Sequence, residues 1–82
     1  MLHLDFETFS FADLTTEGAY RYSTDPSTEV ILASYRFDGG MMRRWRPGDP
    51  YPFEGYEGPI FAWNAQFERL IWWYVLDWPN IP

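Results

Sequence analysis

The 82 residues form one small domain with a net charge of −6, six arginines, no lysine and no cysteine. The missing cysteines exclude disulfides and thiolate metal sites, and the acidic balance argues against strong autonomous binding to nucleic acid, which depends on clustered cations. No signal peptide or long apolar run is present, so a membrane protein is not expected and the cytoplasm is the default location.

The first predicted element is a strand that begins at Leu2. Apolar side chains alternate with His3, Asp5 and Glu7, which places the two carboxylates on one face of the strand, roughly 7 Å apart at Cα. Two like charges at this separation are unfavourable unless a cation or a proton lies between them, and oxygen ligands suit Mg²⁺ or Mn²⁺. The alternative is the polar face of an ordinary surface strand.

The middle of the chain predicts a short helix and then a hairpin. Ser10 is the expected helix cap and Gly18 the expected helix end. Residues 29–37 are predicted to form a strand, Asp38-Gly39-Gly40 a turn, and residues 41–46 the returning strand. The Gly- and Pro-rich residues 47–59 are expected to form a loop or linker. The one basic cluster, Arg43, Arg44 and Arg46, consists of either phosphate ligands or ordinary solvated residues.

A last strand, residues 60–63, is predicted to lead into a helix over residues 65–76. Asn64 is a good N-cap, and Glu68 lies one turn later on the same helical face. The helix is apolar on all sides, which indicates that both sides are buried or that a partner covers one of them. The predicted association surface, which would be covered by a second copy of the chain or by another protein, includes some of Trp72, Trp73, Leu76 and Trp78.

Two segments resemble motifs of a known family. Leu4-Asp5-Phe6-Glu7-Thr8 and Asn64-Ala65-Gln66-Phe67-Glu68 resemble the first and second motifs of the DEDD 3′–5′ exonucleases. The exonuclease domain at the front of bacteriophage family-A DNA polymerases is the nearest likeness, and it extends over nearly the whole chain. The second motif usually ends in Asp, whereas this chain has Glu68. The third motif, which supplies a His or Tyr and the last Asp, would lie beyond Pro82.

The resemblance implies an α/β (α+β) fold, specifically a truncated ribonuclease H-like fold. About four strands would form a mixed sheet with a short N-terminal helix and one main C-terminal helix. It also implies hydrolysis of phosphodiesters with two Mg²⁺ or Mn²⁺ ions. In the family's arrangement Asp5 would bridge both ions, Glu7 would bind the ion that carries the attacking water, and Glu68 would hold the second. The residues implied to contact the 3′ end of single-stranded DNA are Thr8, Phe9, Asn64 and Phe67.

Two functions remain open at this point. In the first, residues 1–82 are a single partial exonuclease-like domain, active if another chain completes the catalytic set; whether the chain alone is an enzyme stays undecided. In the second, the chain is a catalytically inactive small phage protein that acts as an acidic protein-binding module, or that inhibits a host or defence enzyme acting on nucleic acid. A phage-encoded protein of either kind would act in the host cytoplasm.

Overall fold

A computed structural model describes residues 1–79, which form a four-stranded mixed sheet with helices packed on one face. The elements in chain order are β1 (Leu2–Phe9), α1 (Leu14–Thr24), β2 (Glu29–Phe37), β3 (Arg43–Trp45), β4 (Ile60–Phe61) and α2 (Ala65–Leu70), which continues as a π-helical segment (Ile71–Val75). The strand order is β3-β2-β1-β4. This arrangement confirms the predicted α+β class, the four strands and the two helices.

The centre of the sheet is the antiparallel pair of β1 and β2, which runs from Leu2 opposite Phe37 to Phe9 opposite Glu29. A bulge interrupts the register beside Glu7, so that Ile31 has no partner on β1. β3 continues the hairpin for three residues, and β4 lies parallel to β1 for two residues, so both edge strands are shorter than predicted. β4 ends early because the chain turns after it to begin α2.

The helix α1 begins later than the sequence indicated. Asp13 is the cap: its side chain accepts a hydrogen bond from the Thr15 N–H at 2.9 Å, and the Glu17 carboxylate accepts one from the Asp13 N–H at 2.8 Å. The hydroxyl of Ser10 instead accepts the Ala12 N–H within the preceding loop. Gly18 has φ 86° and divides α1 into two short helical pieces, as its conformational freedom predicts.

The C-terminal helix buries one face against the sheet. Its buried side chains are Phe67, Glu68, Ile71 and Trp72, whereas the neighbouring Tyr74 is 45% exposed. The Leu76 N–H donates to the Ile71 carbonyl at 3.1 Å, an i→i+5 bond that widens the last turn. The helical segment ends at Val75 with Leu76 as its C-cap, and Asp77 follows with φ 51°, shortly before Pro79.

Residues 47–59 are a packed loop rather than an extended linker. Phe53 is 2% exposed and stacks on Trp72 with ring centroids 5.6 Å apart. The Tyr56 hydroxyl accepts the Leu2 N–H at 3.1 Å and donates to the Pro59 carbonyl at 2.6 Å. This loop therefore closes one end of the core. Within residues 1–79, no helix combines the length and the apolar character that crossing a bilayer requires.

Candidate active site

Asp5 and Glu7 lie on the polar face of β1, as the alternation predicts. Both are exposed, whereas Leu4 and Phe6, between and beside them, are each 5% exposed and face the helices. Asp5 lies directly opposite Ser34 on β2, and Glu7 lies opposite Leu32 at the edge of the bulge. Bulges redirect the side chains beside them. The two carboxylates therefore project from a rigid central strand into solvent.

Glu68 reaches the same strand from the helix. Its side chain is 7% exposed, and its Oε2 atom accepts the Phe6 backbone N–H at 3.1 Å. This donor is available because β4 pairs with β1 only at Leu2 and His3, which leaves the next part of that edge without a strand. The carboxylate thus occupies the position where a backbone carbonyl of β4 would lie if the strand continued. The contact places the Glu68 carboxylate against Phe6, the residue of β1 that lies between Asp5 and Glu7.

The electrostatic surroundings raise the pKa of Glu68 to about 7. The largest cause is burial, which penalises the charged form, and the negative charge of Asp5 adds to it. The hydrogen bond from the Phe6 N–H acts in the opposite direction. The negative charge of Asp5 therefore reaches Glu68, and a cation bound beside the two carboxylates would offset this repulsion.

The described carboxylates do not form a closed metal site. Among residues 1–79, no group of three His, Cys, Asp or Glu side chains is close enough to form a complete metal cage. Mg²⁺ usually keeps several waters and is held by one or two carboxylates together with substrate phosphates. Asp5 and Glu68 are the two carboxylates that such an ion would use, and the exposed Glu7 lies one strand repeat away from Asp5.

The residues expected to contact nucleic acid are in different environments. The Thr8 hydroxyl is hydrogen-bonded to the Tyr22 hydroxyl at 2.8 Å, between the sheet and α1. Phe9 is 46% exposed. Asn64 caps α2 by accepting the Phe67 N–H at 3.3 Å, and the Phe67 ring is 9% exposed and packs against Tyr22. Phe9 thus presents a ring to solvent, whereas Phe67 belongs to the core.

The four residues of the predicted association surface differ in burial. Trp72 is 1% exposed, which corrects its assignment to an outer surface, because it fills the core between Phe53 and Trp78. Trp78 and Leu76 are partly buried against the same core. Trp73 is 51% exposed and stacks on Tyr74 with ring centroids 5.8 Å apart. Trp73 is therefore the tryptophan of this set that is most accessible to a partner.

Two further residues flank Asp5: Arg44, which the sequence indicated as a candidate phosphate ligand, and Trp63, which it did not indicate. Trp63, which immediately precedes the cap of α2, is 95% exposed, and Arg44 lies in the same row of the sheet as Asp5. Period-2 alternation around Trp45 could have placed Arg44 on the polar face. The position of Trp63 depends on where β4 ends, for which the sequence has no local signal.

Comparison with known proteins finds similarity to a DNA polymerase of Bacillus phage SP02. The identity is 36% over 76 residues, which cover 83% of this chain but 12% of the polymerase. No family model and no solved structure matches the chain. The chain is therefore related to a phage DNA polymerase, and it spans about an eighth of the length of that relative.

Proposed function

We propose that this chain is the front part of a metal-dependent 3′–5′ exonuclease unit of the kind that accompanies phage DNA polymerases. One observation carries the proposal: the buried Glu68 carboxylate is held on the Phe6 N–H at 3.1 Å, beside the strand that carries Asp5 and Glu7. Two distant sequence motifs, 62 residues apart, are thereby joined at one edge of the sheet.

The proposed ligands of Mg²⁺ or Mn²⁺ are Asp5, Glu7 and Glu68. When bound, the ions would activate water and stabilise the oxygen that leaves the phosphodiester. The chain orients these carboxylates singly, since Asp5 and Glu7 project from the central strand and the Phe6 N–H fixes the orientation of Glu68, and within residues 1–79 the three do not form a closed cage. A ligand that is already oriented loses less conformational entropy when it binds.

The first experiment measures metal binding directly, by the loss of the electron paramagnetic resonance signal of free Mn²⁺ as protein is added. We expect the wild-type chain to bind Mn²⁺, and Asp5→Asn and Glu68→Gln to weaken binding at least tenfold. Glu54→Gln, an exposed carboxylate in the loop between β3 and β4, is the matched control. Equal binding by all four proteins would refute the proposed ligand set.

The second experiment is digestion of a 5′-labelled single-stranded oligonucleotide in Mn²⁺. Stepwise shortening from the 3′ end by the wild type, lost in the Asp5→Ala/Glu7→Ala double variant, is the expected result if the chain holds or acquires the rest of the catalytic set. Because groups of such a set act together, loss of these two carboxylates should lower the rate by several orders of magnitude. Shortening of equal rate by both proteins would contradict the proposal.

A second candidate function is protein binding without catalysis, and one observation favours it. Trp73 and Tyr74 form a stacked pair that is about half exposed, on a chain with a net charge of −6. Exposed aromatic side chains on a chain of negative net charge suit a partner that carries basic and apolar groups. In this case Trp73→Ala would abolish the biological effect of the protein, whereas Asp5→Ala would leave it unchanged.

A further inference from the structure

A groove of about 430 Å³ crosses the polar face of the sheet beside Asp5. Phe61 and Trp63 line it on the side of β4, and Ser34 and Arg44 line it on the side of the β2–β3 hairpin. A second cavity of about 400 Å³ lies on the side of α2, where Glu68 and Trp72 line it, and Leu4 and Ala62 line both it and the groove.

One wall of the groove is aromatic and exposed. Trp63 is 95% exposed, and its ring meets Phe61 edge-on with centroids 5.7 Å apart. Phe61 is 41% exposed and meets His3 at 5.6 Å. An indole held at one edge by a second ring, with its remaining surface in solvent, is suited to stacking on another planar ring.

Among the residues that line the groove, the opposite wall carries one cation, Arg44. Four of the six arginines of this acidic chain, Arg36, Arg43, Arg44 and Arg46, lie on the β2–β3 hairpin or directly after it. Trp45 is buried on the core face of β3, so the alternation places Arg44 on the groove face.

The strand order of the sheet determines the distance between Arg44 and the Asp5 carboxylate. Asp5, Ser34 and Arg44 lie opposite one another on three neighbouring strands. At roughly 4.8 Å per strand, the Cα atoms of Asp5 and Arg44 are about 10 Å apart. A phosphate held by both Ser34 and Arg44 would therefore lie between one and two strand spacings from Asp5, about 5 to 10 Å along the sheet.

We propose that this groove binds one nucleotide of single-stranded nucleic acid, with the base stacked on Trp63 and its phosphate held by Arg44 and the Ser34 hydroxyl. A guanidinium pairs with phosphate through two parallel hydrogen bonds, and every base has a face that can stack on an indole. The inference rests on the proposed function in one respect: the bound strand leads to Asp5, where hydrolysis would occur.

The test is fluorescence anisotropy of a fluorescein-labelled oligothymidylate in EDTA and low salt, where no metal-dependent cleavage takes place. We expect Trp63→Ala to weaken binding roughly 5- to 100-fold, the range found for single base-stacking residues. Arg44→Gln should weaken binding and lower the slope of log K against log salt by about 0.7, the value for one phosphate contact on a single strand.

Two variants serve as matched controls. Trp73→Ala removes a half-exposed indole from another surface, and Arg43→Gln removes the same charge from the neighbouring residue, which the alternation of β3 places on the other face. Each should change affinity less than twofold. Circular dichroism would verify that all four variants keep the fold, which is expected because each side chain is exposed.

The outcomes separate this inference from the proposed function. No binding by the wild type, or equal effects of Trp63→Ala and Trp73→Ala or of Arg44→Gln and Arg43→Gln, would overturn the groove assignment. Metal-dependent shortening that needs Asp5 but is unaffected by Trp63→Ala would leave the exonuclease proposal standing and refute the groove. Groove-dependent binding without any metal binding at Asp5 would support the groove alone.

Discussion

Replacing Glu68 with Gln should stabilise the metal-free protein at neutral and alkaline pH. The carboxylate is 7% exposed, and its pKa rises from an ordinary 4.5 to about 7 in the folded state. The folded protein therefore holds this proton more tightly than the unfolded chain does. The bound proton of Glu68 contributes its full stabilisation of the folded state below the unfolded pKa. This contribution declines as pH rises from about 4.5 to about 7.

The size of the expected stabilisation follows from the shift in the pKa of Glu68. A shift of this size corresponds to about 3 kcal/mol between low pH and a pH well above 7, at about 1.4 kcal/mol per pKa unit. Glutamine keeps an oxygen that can accept the Phe6 N–H and carries no charge to desolvate. Glu68→Gln should therefore gain about 2 to 3 kcal/mol over the wild type at about pH 8, and much less at about pH 4.

The assay is urea denaturation in EDTA at both pH values, with the difference between variant and wild type as the readout, so that other titrating groups cancel. Glu7→Gln removes an exposed carboxylate from the neighbouring strand and should change stability by no more than about 0.5 kcal/mol. A Glu68→Gln variant that gains nothing at about pH 8, or gains equally at both pH values, would refute the assignment of a buried charge.

Adding Mn²⁺ extends the same experiment. A ligand that binds only the folded state stabilises it by RT ln(1 + [L]/Kd). If Glu68 is a metal ligand, the ion should stabilise the wild type more than the Glu68→Gln variant and so reduce or reverse the difference between them. An unchanged difference in saturating Mn²⁺ would separate the burial of Glu68 from any role in metal binding.

Three further predictions concern stability measured by chemical denaturation. Trp72→Ala should cost about 3 to 5 kcal/mol because the ring is 1% exposed, whereas Trp73→Ala should cost less than about 1 kcal/mol. Gly18→Ala should cost about 1 to 2 kcal/mol because the native φ of 86° strains any residue with a Cβ. Thr8→Val should cost about 1 kcal/mol because it removes the hydroxyl that is bonded to Tyr22.

A specific result would contradict each of these three stability predictions. Similar losses for the two tryptophan variants would mean that Trp73 is packed as well as Trp72. A neutral Gly18→Ala would show that α1 continues through this position without a break, and Thr16→Ala is the control for helix propensity on the exposed part of α1. An unchanged stability for Thr8→Val would return Thr8 to the set of residues free to contact a ligand.

Local signals in the sequence predicted the two central strands and the second helix cap well, and they overestimated the length of both edge strands. The bounds of β2, residues 29–37, agree with the prediction, and Asn64 caps α2 through its own side chain. Both features depend on a few neighbouring residues, namely alternation along a strand and a short polar side chain before a helix. The first helix cap was assigned to Ser10 rather than Asp13 because several residues near it carry similar capping groups.

Features that depend on distant contacts were not predictable in this way. The burial of Glu68 follows from the early end of β4, which leaves the Phe6 N–H without a strand partner. The burial of Trp72 follows from Phe53, which lies in a loop with no regular pattern. Carboxylate motifs thus indicated which residues belong to the candidate site, and only the fold could indicate which of them is shielded from water.

The contact between Glu68 and β1 also has a consequence for self-association. A strand edge with free N–H groups can recruit a strand from another molecule and so start aggregation. Here an acidic side chain occupies one of those groups at the edge that β4 leaves open, and an intruding strand would have to displace it. Inward-pointing charges at sheet edges oppose edge-to-edge pairing in this way. The Glu68 carboxylate, which lowers the stability of the folded chain above neutral pH, would therefore also oppose strand pairing between molecules.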